Sequence, residues 1–412
     1  MSREGGSEMR YSSLKKIFYT NERLWQQEYA GRFNAPFVEH FDFSIKQYNY
    51  AQAYPAFLNY TKELLTLVDS IHRLNFELQD VERFLPPIAI RQYLQACMVE
   101  EIQASNEIEG VRSSRKEIRE AIEHVQSNSA ATGVRFQSVV SKYQKLLSAA
   151  KIDFIVSSDV RKFYDEFIYD EVKLENPFNL PDGKIFRAGQ VEITAGTQKV
   201  LHMGAFPEEE LIKGMDKALA LLNDRSFAAV IRLAIFHYLF GYLHPFYDGN
   251  GRTVRFITSY CLAKELSPLI ALNMSLVIKH DKVRYYRMFN ETSAYANCGD
   301  LGPFVVGFLQ IIENAAQDTL RYLRQQSQRY QEYLTRIKGL SVNDKLTGEL
   351  YNLLLQTALF SPAGISMQEL SGVLKKSRNT ISARLDAIPA EYLIVDKESR
   401  QHRFKLNLAG WQ

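Results

Sequence analysis

Along most of this chain, apolar residues recur every three to four positions, the spacing of one face of an α-helix. From about residue 11 to 90 the pattern predicts mostly amphipathic helix, for example FLNYTKELLTLVDSIHRLNFEL from Phe57 to Leu78, with a break at Pro86-Pro87. Ile88 to Arg112 reads as the next helix, which Gly110 can close with a positive φ. Ser114 and Glu117 have capping-box spacing and open another helix through Ile118 and Ile122. Further helices are expected within 129–180, at Glu208–Leu222, from Thr253 to about Leu266, and from about 302 to 338. Residues 1–10 read as a loose tail.

Two stretches depart from this amphipathic pattern. Ser226–Tyr242, SFAAVIRLAIFHYLFGY, is apolar on nearly every face, which predicts a central buried helix. In 185–204 the period changes. Val191 and Ile193 alternate with polar residues, Ala195-Gly196 offers a turn, and Val200-Leu201 resumes the apolar character, so a β-hairpin is expected. The polar run RYLRQQSQRYQEYLTRIK reads as a connecting helix. Beyond it, LTGELYNLLLQ, SMQELSGVLKK (with Ser366 as cap) and SRNTISARLDAI are three helices, and EYLIVDKESRQHRFKLNL gives two strands joined by a charged turn. Helix, helix-turn-helix, hairpin is the order of a winged helix. The expected architecture is therefore mainly α. A helical region spans 1–90, a helical core with a hairpin spans 91–330, and a winged helix-turn-helix domain spans 335–412.

Composition narrows the classes. The chain has 412 residues, 46% hydrophobic, so it is globular rather than disordered. Fifty basic against 47 acidic side chains argue against a general nucleic-acid coat and leave room for a local patch. Cys97, Cys261 and Cys298 are too few for a disulfide framework or a zinc site. With no apolar signal core at the start and no membrane-length apolar run, a soluble, cytoplasmic protein is expected.

The densest chemistry is LHPFYDGNGRTVR, Leu243 to Arg255, between the buried helix and the next one. Gly249 and Gly251 permit unusual backbone geometry and close approach of a ligand. The N–H groups of a new helix make an anion site. Arg252 and Arg255, three apart at its positive end, repel each other unless something anionic sits between them; a polyphosphate fits. Asp248 suits Mg²⁺ shared with phosphate oxygens. His244 suits proton abstraction from a hydroxyl near neutral pH. Phe246 reads as a core anchor, and His237, inside the buried helix, as a structural histidine. A dinucleotide fingerprint fails at Val254, an EF-hand loop fails at Arg252, and no Walker A sequence occurs.

HPFYDGNGRTVR resembles the Fic-domain motif, H-x-F-x-[DE]-G-N-G-R-x-x-R, with every fixed position present, and the resemblance covers roughly residues 90–330. It implies a protein adenylyltransferase, in which ATP is the substrate and Mg²⁺ the cofactor. His244 would be the general base for a target Ser, Thr or Tyr. Asp248 would bind Mg²⁺, Gly249, Asn250 and Gly251 would form the anion hole, and Arg252 and Arg255 would hold the β- and γ-phosphates. The 185–204 hairpin would be the flap that aligns a target segment by main-chain pairing. Candidates for a base pocket are Tyr285, Tyr286 and Asn290. SNEIEG, Ser105 to Gly110, is by itself an ordinary helix end, but it is similar to the family's inhibitory motif [ST]-x-x-x-E-[GN]. That resemblance implies autoinhibition by Glu109, with Ser105 and Gly110 in place.

In the terminal unit, Lys375, Lys376, Arg378 and Arg384 cluster at the recognition helix, and Arg400, Arg403 and Lys405 lie around the wing. This is a phosphate-contact pattern, with protein contact as the alternative; Arg378, Arg384 and Arg403 are the candidate DNA contacts. Partners so implied are ATP, a protein target with an exposed hydroxyl (this chain included), DNA, and a second copy in a homodimer, with no membrane. Two function classes compete: an adenylyltransferase, and a DNA-binding regulator whose site senses nucleotide. Removal of AMP or transfer of another phosphate-containing group also stays open.

Overall fold

The computed structural model describes residues 12–126, 134–194, 200–339, 344–397 and 402–411. The expected N-terminal tail, the Ala195-Gly196 turn and Arg400 lie outside the described residues.

Helix dominates. The chain divides into two compact units, residues 1–73 with 101–315 and residues 74–100 with 316–412. Helices Lys62–Phe84, Pro87–Ile108 and Gly302–Gly339 each contribute length to both units.

In the first unit the helix Ala229–Leu243 is the core, and every residue from Leu233 to Phe240 is buried. It carries no amphipathic period because apolar neighbours meet it all round. The helices Glu208–Asn223 and Asn250–Glu265 flank it in sequence. His237 is a structural histidine as expected: fully buried, it bonds Thr258 Oγ1 at 2.9 Å and the Tyr285 hydroxyl at 2.7 Å. The capping box at Ser114 is present, with Glu117 N donating to Ser114 Oγ and Ser114 N to the Glu117 carboxylate. Antiparallel strands Glu192–Thr194 and Val200–Met203 form the expected hairpin.

The N-terminal region corrects the helical reading. Leu14–Thr20 and Glu22–Phe33 are helices, but Val38–Lys46 and Ala53–Asn59 pair as an antiparallel hairpin. The helix expected from Phe57 therefore starts at Lys62. Phe57 is claimed by partners far away in sequence: its N–H donates to Gly299 O and its carbonyl accepts from Leu301 N. Leu14, Trp25, Phe57 and Cys298 then pack in one buried cluster.

In the second unit the order is helix Lys345–Phe360, strand Ile365–Ser366, helices Met367–Leu374 and Arg378–Asp386, then strands Leu393–Asp396 and Arg403–Leu406. The last strand lies centrally, antiparallel to the other two. The expected three helices and two strands occur in order, and the two-residue strand is an addition. Ser366 caps its helix in a full capping box with Glu369. Leu354, Leu370, Ile381, Leu385 and Leu406 are buried in this unit. Among the described residues, no helix is long and apolar enough to cross a membrane.

Candidate active site

The central helix stops at His244, whose left-handed φ of 52° ends it, and Pro245 cannot continue it. Phe246 then plunges fully into the core, stacked on Tyr164 at 3.8 Å between ring centroids and edge-on to Phe186. Asn250 locks the turn: its amide donates to Phe246 O at 2.7 Å and its carbonyl accepts from Phe246 N at 2.9 Å. Gly249 takes φ 78°, where a Cβ would also press on Tyr164 at 3.2 Å. The new helix begins at Asn250, earlier than the expected Thr253, and no side chain caps it. Its first N–H groups therefore lack intrahelical partners. The Asn250 side chain is taken by Phe246, so what it can offer an anion is its main-chain N–H. The Gly249 N–H donates to the Asp248 carboxylate.

Arg255 is 2% exposed and meets three acceptors. Nε donates to Ser105 Oγ at 3.0 Å, Nη2 to Ser105 O at 2.8 Å, and Nη1 to Glu109 Oε1 at 2.7 Å. Burial pushes Glu109 upward, but Arg255 overcomes this and holds its carboxyl below the usual range. Burial likewise opposes the Arg255 charge, and Glu109 reverses that, leaving the guanidinium above its ordinary value. Gly110 follows with φ 77°, so Glu109 is the last side chain before the chain leaves the helix end. Gly251 is needed for space: a Cβ there would lie 2.0 Å from Glu109 Oε1.

Arg252, also 2% exposed, faces Glu175 at 3.4 and 3.3 Å and Asp248 at 3.4 Å, and its Nε has no hydrogen-bond partner among the described residues. Asp248 keeps part of its carboxylate exposed. No cluster of three or more metal-ligating side chains exists among the described residues. The one partly exposed Asp248 carboxylate could hold an ion that completes its shell with phosphate oxygens and water, as Mg²⁺ does.

His244 is half-buried. Burial, then Arg187, then His202 push its imidazole down to about 4, so it is neutral at physiological pH. Of the expected base-pocket residues, Tyr285 is buried with its hydroxyl on His237. Burial raises its phenol. It also lies beside the Arg255 guanidinium, which opposes that rise. Tyr286 and Asn290 are exposed on the same helix, Lys282–Thr292.

Sequence reasoning missed three charged residues. Glu175 pairs with Arg252. Arg187 is buried against the His244 carbonyl, to which its Nε donates at 2.8 Å. Glu101, fully buried, accepts from Ser275 N at 2.8 Å and Oγ at 2.6 Å, and burial raises its carboxyl to about 7. The signal for Glu101 was available: Glu101, Ser105 and Glu109 recur every four residues on one helix face.

In the second unit Lys375, Lys376 and Arg378 are exposed at the start of the helix Arg378–Asp386. Arg384 instead lies 2.9 Å from the Asp344 carboxylate. Arg403 donates to Gly364 O at 3.2 Å and sits 3.4 Å from Glu369. The three expected DNA contacts are thus not equally free.

Residues 155–262 match the Fic/DOC family. Proteins named protein adenylyltransferase fic-1 from Caenorhabditis elegans and Caenorhabditis briggsae are each 28% identical over 162 residues, 38% of this chain and 29% of theirs. Protein adenylyltransferase Fic of Nematostella vectensis is 36% identical over 72 residues, 18% of this chain and 15% of its own. The match therefore spans less than a third of these relatives' length. Among solved structures, a Fic family protein from Desulfovibrio desulfuricans G20 is similar in fold, with a TM-score of 0.52 and 22% identity, over 84% of this chain and 96% of that one.

Proposed function

This chain is a Fic-domain protein, and we propose that it transfers AMP from ATP to a Ser, Thr or Tyr hydroxyl of a protein target, with Glu109 as a built-in restraint. One observation carries the reading. Two arginines are buried in the first two turns of one helix, and carboxylates from outside that helix, Glu109 and Glu175, answer them where phosphate oxygens would sit.

In this reading the target oxygen attacks the α-phosphorus, the bond to the β-phosphate oxygen breaks, and pyrophosphate leaves with the electron pair. His244, neutral at physiological pH, takes the hydroxyl proton. A polyphosphate brought beside it adds negative charge and raises its imidazole toward the working range. Arg252 and Arg255 stabilise the charge on the departing phosphates. Asp248 would hold Mg²⁺, which supplies further neutralisation of phosphate charge. With Glu109 on Arg255, that guanidinium is withheld from the γ-phosphate, and a misplacement of about 1 Å costs roughly 10²-fold.

We read the second unit as a winged helix that localises the enzyme on its target. The exposed Lys375, Lys376 and Arg378 favour a second reading, a regulator that binds DNA and senses nucleotide at the Fic site. Incubating the full chain and Glu109→Gly with ATP labelled in the α-phosphate and Mg²⁺, alone and with cell lysate, tests the assignment. Protein carrying the added mass of AMP supports it. Bound ATP without any labelled protein points to the sensor.

A further inference from the structure

The last carbonyls of any helix lack intrahelical donors. Arg187 meets them. It is 1% exposed, and every hydrogen bond of its guanidinium goes to a main-chain carbonyl. Nε donates to His244 O at 2.8 Å, Nη1 to Gly189 O at 2.6 Å, and Nη2 to Ala205 O at 2.8 Å and Leu243 O at 3.4 Å. Among the described residues it forms no ion pair. Burial lowers its affinity for the proton, so a cation is kept here at a cost. The negative end of the helix dipole and four carbonyls offset that cost.

The geometry of these contacts matters more than the charge. Gly189 and Ala205 are the two feet of the hairpin Glu192–Thr194 and Val200–Met203. One planar guanidinium therefore joins both feet to the residue that bears the catalytic imidazole. The hairpin is tied down at other points too. His202 Nε2 lies 2.7 Å from Tyr242 O, Ala205 N donates to Leu243 O at 3.0 Å, and Gly189 N donates to the Tyr247 hydroxyl at 2.8 Å. Gly204 leaves room for the joint, since a Cβ there would meet Arg187 Nη2 at 2.4 Å and His244 Cβ at 3.1 Å.

We infer that Arg187 is a positioning residue for the transfer: it sets the height of the hairpin over His244, and so the place where a target hydroxyl meets the base. His202 is the second tie. The inference rests on the adenylyltransferase reading.

The test uses the full chain in a Glu109→Gly background. Arg187→Lys keeps the charge but, with a single ammonium, cannot span four carbonyls in a plane. Arg187→Met removes both. ATP affinity, measured calorimetrically, should hold in each, because Arg187 lies on the hairpin side of the site. Protein labelling should fall on the order of 10²-fold through kcat. The charged and titratable groups acting on His244 are Arg187, His202 and Glu109. Losing the Arg187 cation should move the acid limb of the rate profile to higher pH in Arg187→Met and leave it in place in Arg187→Lys, which a purely structural role would not do. If Arg187→Met does not fold, Arg187→Lys decides: a folded Lys variant at the parent rate overturns the inference. So does a folded Arg187→Met variant that labels at the parent rate. If the Glu109→Gly parent itself labels no protein, the adenylyltransferase reading fails first, and the inference goes with it.

Discussion

Arg252 and Arg255 are almost completely buried at the start of one helix, while Lys375, Lys376 and Arg378 stand exposed at the start of another. Both clusters put positive charge at a helix N-terminus, where the dipole already disfavours it. In water the second arrangement costs little, because solvent screens it. In the interior the first requires an answer from the fold: Glu109 and Ser105 on Arg255, Glu175 and Asp248 on Arg252. Buried charge is thus informative about chemistry, and exposed charge is much less so.

The strongest test of that contrast removes the imidazole proposed as the base. His244→Ala should lower protein labelling about 10²–10⁴-fold while sparing ATP binding. Labelling by the Ala variant at the parent rate, in the Glu109→Gly background, would show that the imidazole does not take the proton.

The next test breaks the ion pair. Glu109→Gly should raise labelling, roughly 10²-fold if misalignment of the α-phosphate is the restraint. Arg255→Ala should label poorly with or without Glu109, because the proposal gives one guanidinium both restraint and transfer. If Glu109 instead helps remove AMP, the purified modified target will lose its label in Mg²⁺ without ATP, and Glu109→Gly will abolish that loss. No gain in either assay would return SNEIEG to the ordinary helix ends.

The same contrast explains what could be read before the fold was known. The segment from His244 to Arg255 was legible because its chemistry is contiguous, and Ser105, Glu109 and Gly110 because they share one helix end. The central helix was legible because burial on all faces erases its period. Arg187 was not, since its guanidinium collects carbonyls 18 and 57 residues away and nothing local announces that. Glu175 was obscured for the same reason, defined by a partner in another helix. The Val38–Lys46 strand is different. Phe41, Phe43 and Ile45 turn inward while Asp42, Ser44 and Lys46 are exposed, a period of two that was present in the residues and overlooked amid helical neighbours.

Glu101 gives a smaller, thermodynamic test. Its folded carboxyl is raised to about 7 from an ordinary value near 4.5. A group raised in this way contributes stability that is full below its unfolded value and is lost as pH rises through the folded one. Between pH 5.5 and 8 the loss should be about 2 kcal/mol, at about 1.4 kcal/mol per unit. His237 and His244 are pushed down to about 3 and about 4 and run the opposite way, losing stability as pH falls. The measurement is therefore a difference. The gap in Tm between Glu101→Gln and the parent should shift in favour of the Gln variant as pH rises over that window. A constant gap would mean that Glu101 is ionised in the fold throughout.

The smallest effect belongs to the exposed cluster. If the second unit contacts duplex DNA, Arg378, first residue of its helix and open to solvent, should contribute one phosphate contact. Arg378→Ala should then weaken binding evenly across sequences and reduce the slope of log affinity against log salt by about one. Arg384 and Arg403 divide from it on geometry: Arg384 lies against Asp344, and Arg403 bonds Gly364 O and Glu369. Their Ala variants should change the salt slope less than Arg378→Ala does, and Arg403→Ala should lower the melting temperature instead, since it strips a donor from a carbonyl inside the unit. Equal losses of affinity for all three would mean that binding frees Arg384 and Arg403 from their acids. No mobility shift with duplex DNA even at low salt would leave the exposed charges as a solvated face or a protein contact, and the site on the other helix would stand unchanged.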